Sequence, residues 1–343
     1  MRRRLSLPVR SVLGSPWIRV AGTLGGVAML LHTVDMGGAV HSLRNADPRW
    51  IAAAFVLSTL AVAASVVEWG VLIRVAPTPA QHPHLAWHRL SSSYLQSLFF
   101  SQVLPAGVGG DAVRTMEMGR NFGHGKVLAS LAGSRMAGML GMACWGLAGA
   151  ILLRDWLGNG ILSGAAIVAA VIIMIWTGAL SCDRIMPKRL LVSGSRIVRK
   201  FGHVVHSFSE TFASYRAHPH AVAQCLLVGA AGWGVNLLAL DLAARAVGVD
   251  LSWTVFAVAA PLTLLAALAP FSINGLGVRE GVLVGMLTHA GVSSGHAGAV
   301  SLLVDLQMIP FAVMGAALWM RRRRRHRLAP EPELGAAALA PAA

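Results

Sequence analysis

Six runs of about 20 mostly apolar residues, the length a helix needs to cross a bilayer, lie near 17–37, 50–75, 127–153, 160–181, 219–247 and 296–320. Each predicts a spanning helix. Two shorter apolar stretches, 91–104 and 252–270, behave differently, because each ends at a glycine-rich break and is followed by another helical segment, 111–122 and 276–290. The pattern leaves no stretch for a soluble catalytic domain, so an enzyme is not expected.

Composition sharpens this picture. Only 13% of the 343 residues are charged and 55% are hydrophobic, against roughly 25% charged in an ordinary soluble domain. The bilayer supplies the core. The formal charge of +15 could point to nucleic acid, so its placement decides. Arg2, Arg3, Arg4 and Arg10 precede the first span, Arg321 to Arg325 and Arg327 follow the last, and the polar stretch 183–218 carries seven Lys and Arg against Asp183 and Glu210. By the positive-inside rule all three are cytoplasmic, next to anionic lipid, and no nucleic-acid partner is implied. The chain then divides into a basic cytoplasmic N-terminus (1–16), a transmembrane domain (17–320, enclosing the cytoplasmic loop 183–218) and a tail (321–343) that is basic and then disordered in composition. The first apolar run is too long for a cleaved signal peptide and contains His32 and Asp35, so it reads as a retained span.

The two breaks align without gaps. Pro105-Ala-Gly-Val-Gly-Gly110-Asp111-Ala-Val-Arg114 lies on Pro270-Phe-Ser-Ile-Asn274-Gly275-Leu-Gly-Val-Arg279, with Pro, Gly, Val and Arg coincident. In both, proline ends one helix, a glycine-rich turn follows and an arginine sits early in the next helix. The first break is approached after two crossings and the second after five, so the repeat is expected to be inverted. Non-helical backbone cannot face lipid. The expected fold is therefore all-α and polytopic, with six spanning helices plus two opposed re-entrant hairpins, or eight helices if the hairpins count as spans. The outgoing helix of each hairpin points its N-terminal amides at the turn, and Arg114 and Arg279 add charge there, which suits a phosphate-sized anion. Gly277, Gly281 and Gly285 recur every four residues and predict close contact with a neighbouring helix.

At these residues the chain resembles the lysylphosphatidylglycerol synthase transmembrane-domain family, flippase-like membrane proteins of bacteria and archaea. The resemblance rests on Leu104-Pro105-Ala-Gly-Val-Gly-Gly-Asp-Ala-Val-Arg114, Ser134-Arg135, and Asn274-Gly-Leu-Gly-Val-Arg-Glu-Gly281. It implies movement of lipids such as lysylphosphatidylglycerol or polyprenyl-linked glycolipids between leaflets of the bacterial inner membrane. Some members continue into a soluble aminoacyltransferase domain, and this chain is expected to act without one.

Arg135 falls inside the third span, where an ionised side chain costs a few kcal/mol unless paired or wet. With Arg114, Arg279, Asn274, Gly110 and Gly275 it makes up the candidate substrate site. Asp111, Glu117 and Glu280 neighbour the arginines in sequence, and Glu68, Asp241 and Asp305 lie within spans; all six are candidate counter-charges or proton carriers. Asp111 is also a candidate helix cap. His82-Pro-His84 and His218-Pro-His220 flank cytoplasmic loops and read as surface, not metal, sites. The turn 107–110 lacks the Gly-Lys-Ser/Thr ending of a nucleotide loop, so no cofactor is expected. Cys144, Cys182 and Cys225 are solitary. Segment 190–212 reads as an amphipathic helix on the inner surface or as a connector. Two other functions fit the same residues: a membrane subunit that docks a separate glycosyltransferase or aminoacyltransferase on loop 183–218, and a transporter of a small soluble anion.

Overall fold

The computed structural model describes residues 16–76, 85–103, 109–181, 196–267, 272 and 275–328; Pro105, Pro270, Asn274 and His82 to His84 lie outside them. Among the described residues all regular structure is helical. In chain order the helices are α1 (Pro16–Thr33), α2 (Met36–Arg44), α3 (Pro48–Val75), α4 (Trp87–Val103), α5 (Gly109–Phe122), α6 (His124–Leu152), α7 (Arg154–Leu180), α8 (Arg196–Ala217), α9 (Pro219–Ala246), α10 (Trp253–Ala267), α11 (Val278–His289) and α12 (Ser294–Leu328).

Four helices, α3, α6, α9 and the part of α12 to Arg324, are long and apolar enough to cross a membrane. The expected first span is divided. Its helix stops at Thr33, and Asp35 caps a new helix by accepting a hydrogen bond from the Gly38 amide at 3.0 Å, so that α1 and α2 meet at 79°. A side-chain cap satisfies backbone amides that continuing the helix would otherwise have satisfied. Asp47 likewise caps α3 through the Arg49 amide at 2.8 Å, with Pro48 at the first helical position, where its missing N–H costs nothing. In α7 the apolar stretch is Ala169–Leu180.

The centre of the bundle is the pairing of α3 with α9, and α6 packs on both. Around it the shorter helices are exchanged: α4 lies against α12, while α10 lies against α6. Small residues permit both approaches. A Cβ added at Gly149 of α6 would sit 2.8 Å from Ala257 of α10, and one at Gly315 of α12 would fall on the backbone of Leu95 of α4. Buried apolar side chains complete the packing. One cluster centres on Phe256, Leu287 and Val300, a second on Trp69, Leu90 and Val127, and a third on Leu72, Phe212 and Tyr215.

The outer surface carries many large apolar side chains. Leu24, Met29, Ile167, Met174, Leu227 and Val313 are all more than half exposed, and a soluble monomer rarely shows so much contiguous apolar surface. In loop 183–218, by contrast, residues 196–217 form α8, whose C-terminal half is buried rather than laid on a surface. Phe212 and Tyr215 are fully enclosed against Trp176 and Leu72, and the Ser214 hydroxyl donates to the Val75 carbonyl at 2.8 Å.

Candidate functional site

α5 begins with two glycines and brings Asp111 and Arg114 onto one face of its first turns, since residues three apart share a helix face. Arg114 donates to Asp111 at 2.7 Å, and the second Asp111 oxygen pairs with Arg135 of α6. One carboxylate thus serves two guanidiniums from two helices. Asp111 does not act as a helix cap here; its side chain is spent on arginines. Arg114 is buried, at 8% exposure, and its guanidinium lies between two aromatic faces, 5.1 Å from the Trp69 ring of α3 and 4.8 Å from the Tyr94 ring of α4. Cation–π contact offsets part of the cost of desolvating a guanidinium. Its Nε–H has no acceptor among the described residues. Arg135 has about half of its side chain exposed.

The aligned position in the second half is built differently. Arg279 donates to Glu280 at 3.0 Å and also pairs with Asp305 of α12. The other Glu280 oxygen accepts from the Gly277 amide at 2.6 Å, so Glu280 both caps α11 and holds the arginine. Here two carboxylates serve one guanidinium.

Two cavities lie between these clusters. One, of about 190 Å³, is lined by Arg279, Glu280 and Asp305; the other, of about 220 Å³, by Glu68, Ser65 and Tyr94. They share Ser58, Trp233, Asn236 and Met308 as walls, so the two adjoin as a mainly apolar hollow, with a few polar groups, between Arg279 and the Tyr94 ring that covers Arg114. Ser58 donates to Gln307 at 2.9 Å inside it. One oxygen of the buried Glu68 carboxylate has no hydrogen-bond partner among the described residues, an arrangement that costs free energy unless the group is protonated or wet.

Several sequence candidates have other partners than proximity suggested. Glu117 is three residues from Arg114 but pairs with Arg322 of α12, and Asp241 pairs with Arg245 on its own helix at 2.9 Å, outside both clusters. Gly110 and Gly275 stand where each short helix meets the one before it. A Cβ on Gly110 would strike the Ser97 carbonyl of α4, and one on Gly275 would lie 2.7 Å from the Ala267 Cα of α10. Both are close-packing positions. Among the described residues Gly277 of the expected glycine stripe lies against Gly26 of α1, and a Cβ at Gly281 or Gly285 meets nothing within 4 Å. His218 precedes α9 and its ring contacts the Ser214 carbonyl at 2.9 Å. The residues not anticipated are Trp69, Tyr94, Asn236 and Gln307. Trp69 and Tyr94 are aromatic neighbours of polar residues within apolar runs, and that was the available signal.

Helices of membrane-spanning length, an apolar exterior and ion clusters held inside the bundle define a multi-pass integral membrane protein. The chain belongs to the family described as the lysylphosphatidylglycerol synthase TM region, whose model matches residues 17–329. Among its relatives are two proteins of Methanothermobacter thermautotrophicus, each named a UPF0104 membrane protein. One is 25% identical over 323 residues, covering 87% of this chain and 92% of the relative. The other is 21% identical over 295 residues, covering 78% and 81%.

Proposed function

We propose that the protein moves an anionic lipid, a phospholipid or a polyprenyl-phosphate-linked lipid, between leaflets of the bacterial cytoplasmic membrane, with both termini on the cytoplasmic side and no covalent chemistry. The observation that carries this reading is the convergence of Arg114 and Arg135 on the single carboxylate of Asp111, beside an unsatisfied guanidinium N–H. An ionised side chain within a span is costly, and a phosphate passing the cluster would accept guanidinium N–H bonds that Asp111 alone does not accept. Arg135 is the group such a phosphate meets, and Arg114 contributes its charge from behind, positioned by Trp69 and Tyr94. The hollow leading to Arg279 is the path for the head group, with Ser58, Asn236 and Gln307 as the polar groups along it. The lipid's chains remain in the bilayer.

In the same reading α4 with α5, and α10 with α11, are two re-entrant hairpins of an inverted repeat. The exchange of partners supports this: the first arm of each hairpin packs on the long helix that follows the other hairpin, as a two-fold relation between the halves requires.

The test is reconstitution of the full chain into liposomes that contain either a head-group-labelled phospholipid or a labelled polyprenyl phosphate, with a membrane-impermeant quencher added outside. Wild-type protein is expected to bring the inner-leaflet label within reach of the quencher. Arg135→Gln is expected to slow this about ten-fold, the loss of one charge-assisted hydrogen bond. If inner-leaflet label stays protected for both lipids with wild-type protein, the reading is wrong.

A further inference from the structure

A cavity larger than either part of the hollow between the ion clusters lies apart from it. A cavity of about 980 Å³ opens where the arginine-bearing end of α12 passes α4 and α5. Ligand pockets commonly hold roughly 300–1,000 Å³. Its walls are of two kinds. Phe100, Met116 and Trp319 are apolar, and Arg120, Arg322 and Arg323 are basic, with Glu117 the single carboxylate among the described lining residues. Three arginines against one glutamate leave the lining at a formal +2 with His124 neutral.

The charges are held, not scattered. The Arg323 guanidinium lies 4.1 Å from the Trp319 ring, and that ring meets Phe100 edge to face at 5.5 Å. Arg322 is tied to Glu117, linking the end of α12 to α5. Arg120 has no acidic partner among the described residues. α6 starts at His124 on the cavity wall, and no side chain caps it, so its first amides are also unsatisfied. The apolar helix of α12 is 31 residues long up to Arg324, about 46 Å at ~1.5 Å per residue. That exceeds the roughly 30 Å hydrocarbon slab, so the arginines emerge at one interface. An amphipathic cavity at that depth matches a molecule with an anionic phosphate and attached hydrocarbon.

We infer that this cavity receives the phosphate head group of an anionic glycerolipid from the arginine-side leaflet, with Arg120 and Arg323 as its ligands and Glu117 as an internal competitor that occupies Arg322 until a phosphate displaces it. The inference deepens the transport reading and rests on it only for its purpose, since binding can be measured without flux.

The experiment is equilibrium binding to the purified full chain in a non-ionic detergent, read by native mass spectrometry, with dioctanoyl phosphatidic acid, dioctanoyl phosphatidylcholine and inorganic phosphate as probes. Phosphatidic acid is expected to bind well above both of the others. Arg120→Gln and Arg323→Gln should each weaken it about five-fold, the upper end for an exposed charge pair. Arg321→Gln removes the same charge from the same arginine run but does not line the cavity, and should leave binding unchanged. Glu117→Gln should tighten binding about three-fold by freeing Arg322; a merely structural ion pair would give no gain. Equal losses for Arg321→Gln and Arg120→Gln would mean diffuse surface electrostatics, and inorganic phosphate binding as tightly as the lipid would mean a simple anion site; either overturns the inference. Should the lipid bind as expected while no label crosses liposomes, the transport reading fails and this site stands. Should label cross while Arg120→Gln and Arg323→Gln bind normally, the reverse holds.

Discussion

The two halves of the bundle carry an arginine at the same place in the repeat and surround it oppositely. In the first, Arg114 and Arg135 divide one carboxylate, and Arg114 is walled in by Trp69 and Tyr94. In the second, Glu280 and Asp305 both hold Arg279, whose side chain is about 30% exposed. The same motif therefore yields a cation-rich cluster and an anion-rich one. A carboxylate that is the ion-pair partner of a buried cation while also holding a second, half-exposed one is a single point of failure, whereas a cation with two carboxylates has a spare. On the proposed reading the first half attracts the anion, while the second, with two carboxylates on one guanidinium, is nearer to a self-satisfied brace.

Removing one acid from each half tests this most severely. Asp111→Ala leaves Arg114 buried with no ion-pair partner among the described residues, and breaking a buried pair from one side costs about 3–5 kcal/mol. Asp305→Ala leaves Arg279 bound to Glu280 and should cost about 1 kcal/mol or less, as for a partly exposed pair. Thermal unfolding in detergent, followed by loss of the monodisperse peak on size exclusion, measures both. Equal losses would abolish the contrast between the halves.

The aligned glycines give a smaller effect that sharpens the comparison. Gly110→Ala places a methyl against the Ser97 carbonyl, and Gly275→Ala places one against Ala267; overpacking of this kind costs roughly 1–3 kcal/mol. Gly275 also has φ of +76°, a conformation that costs a residue with a Cβ about 1–2 kcal/mol more. Gly275→Ala should therefore lower the unfolding temperature further than Gly110→Ala. The reverse order would mean that the two turns do not play equivalent structural parts.

How much of this could be read from the chain depended on the range of the interaction. Four of the six expected spans and the arginines at the breaks were legible because a run of apolar residues and a Pro-to-Arg spacing are local. Partners were not. Glu117 lies three residues from Arg114 and is a candidate counter-charge by sequence, yet its carboxylate pairs with Arg322 of α12. Asp241, read as a candidate counter-charge within a span, found Arg245 one helical turn away. Trp69 and Tyr94 enclose Arg114 from two other helices, and no periodicity in either helix encodes that meeting. The division of the first span at Asp35 was hidden because an acid in an apolar run marks a membrane edge as readily as a cap.

The faintest expected effect concerns the glycines of the second half, where spacing and contact part company. Gly277 packs so closely on α1 that a Cβ would lie 2.6 Å from the Val27 amide, and its φ is +84°; alanine there should be destabilising for both reasons. Gly281 is in the interior of α11 with nothing within 4 Å, so alanine meets no protein atom and removes the entropic penalty of an interior glycine, up to about 1 kcal/mol. Gly281→Ala should leave the unfolding temperature unchanged or slightly raised while Gly277→Ala lowers it. A clear loss at Gly281 would show that a helix or a second copy of the chain covers that face in the membrane, and that the second half is less self-contained than its doubly held arginine suggests.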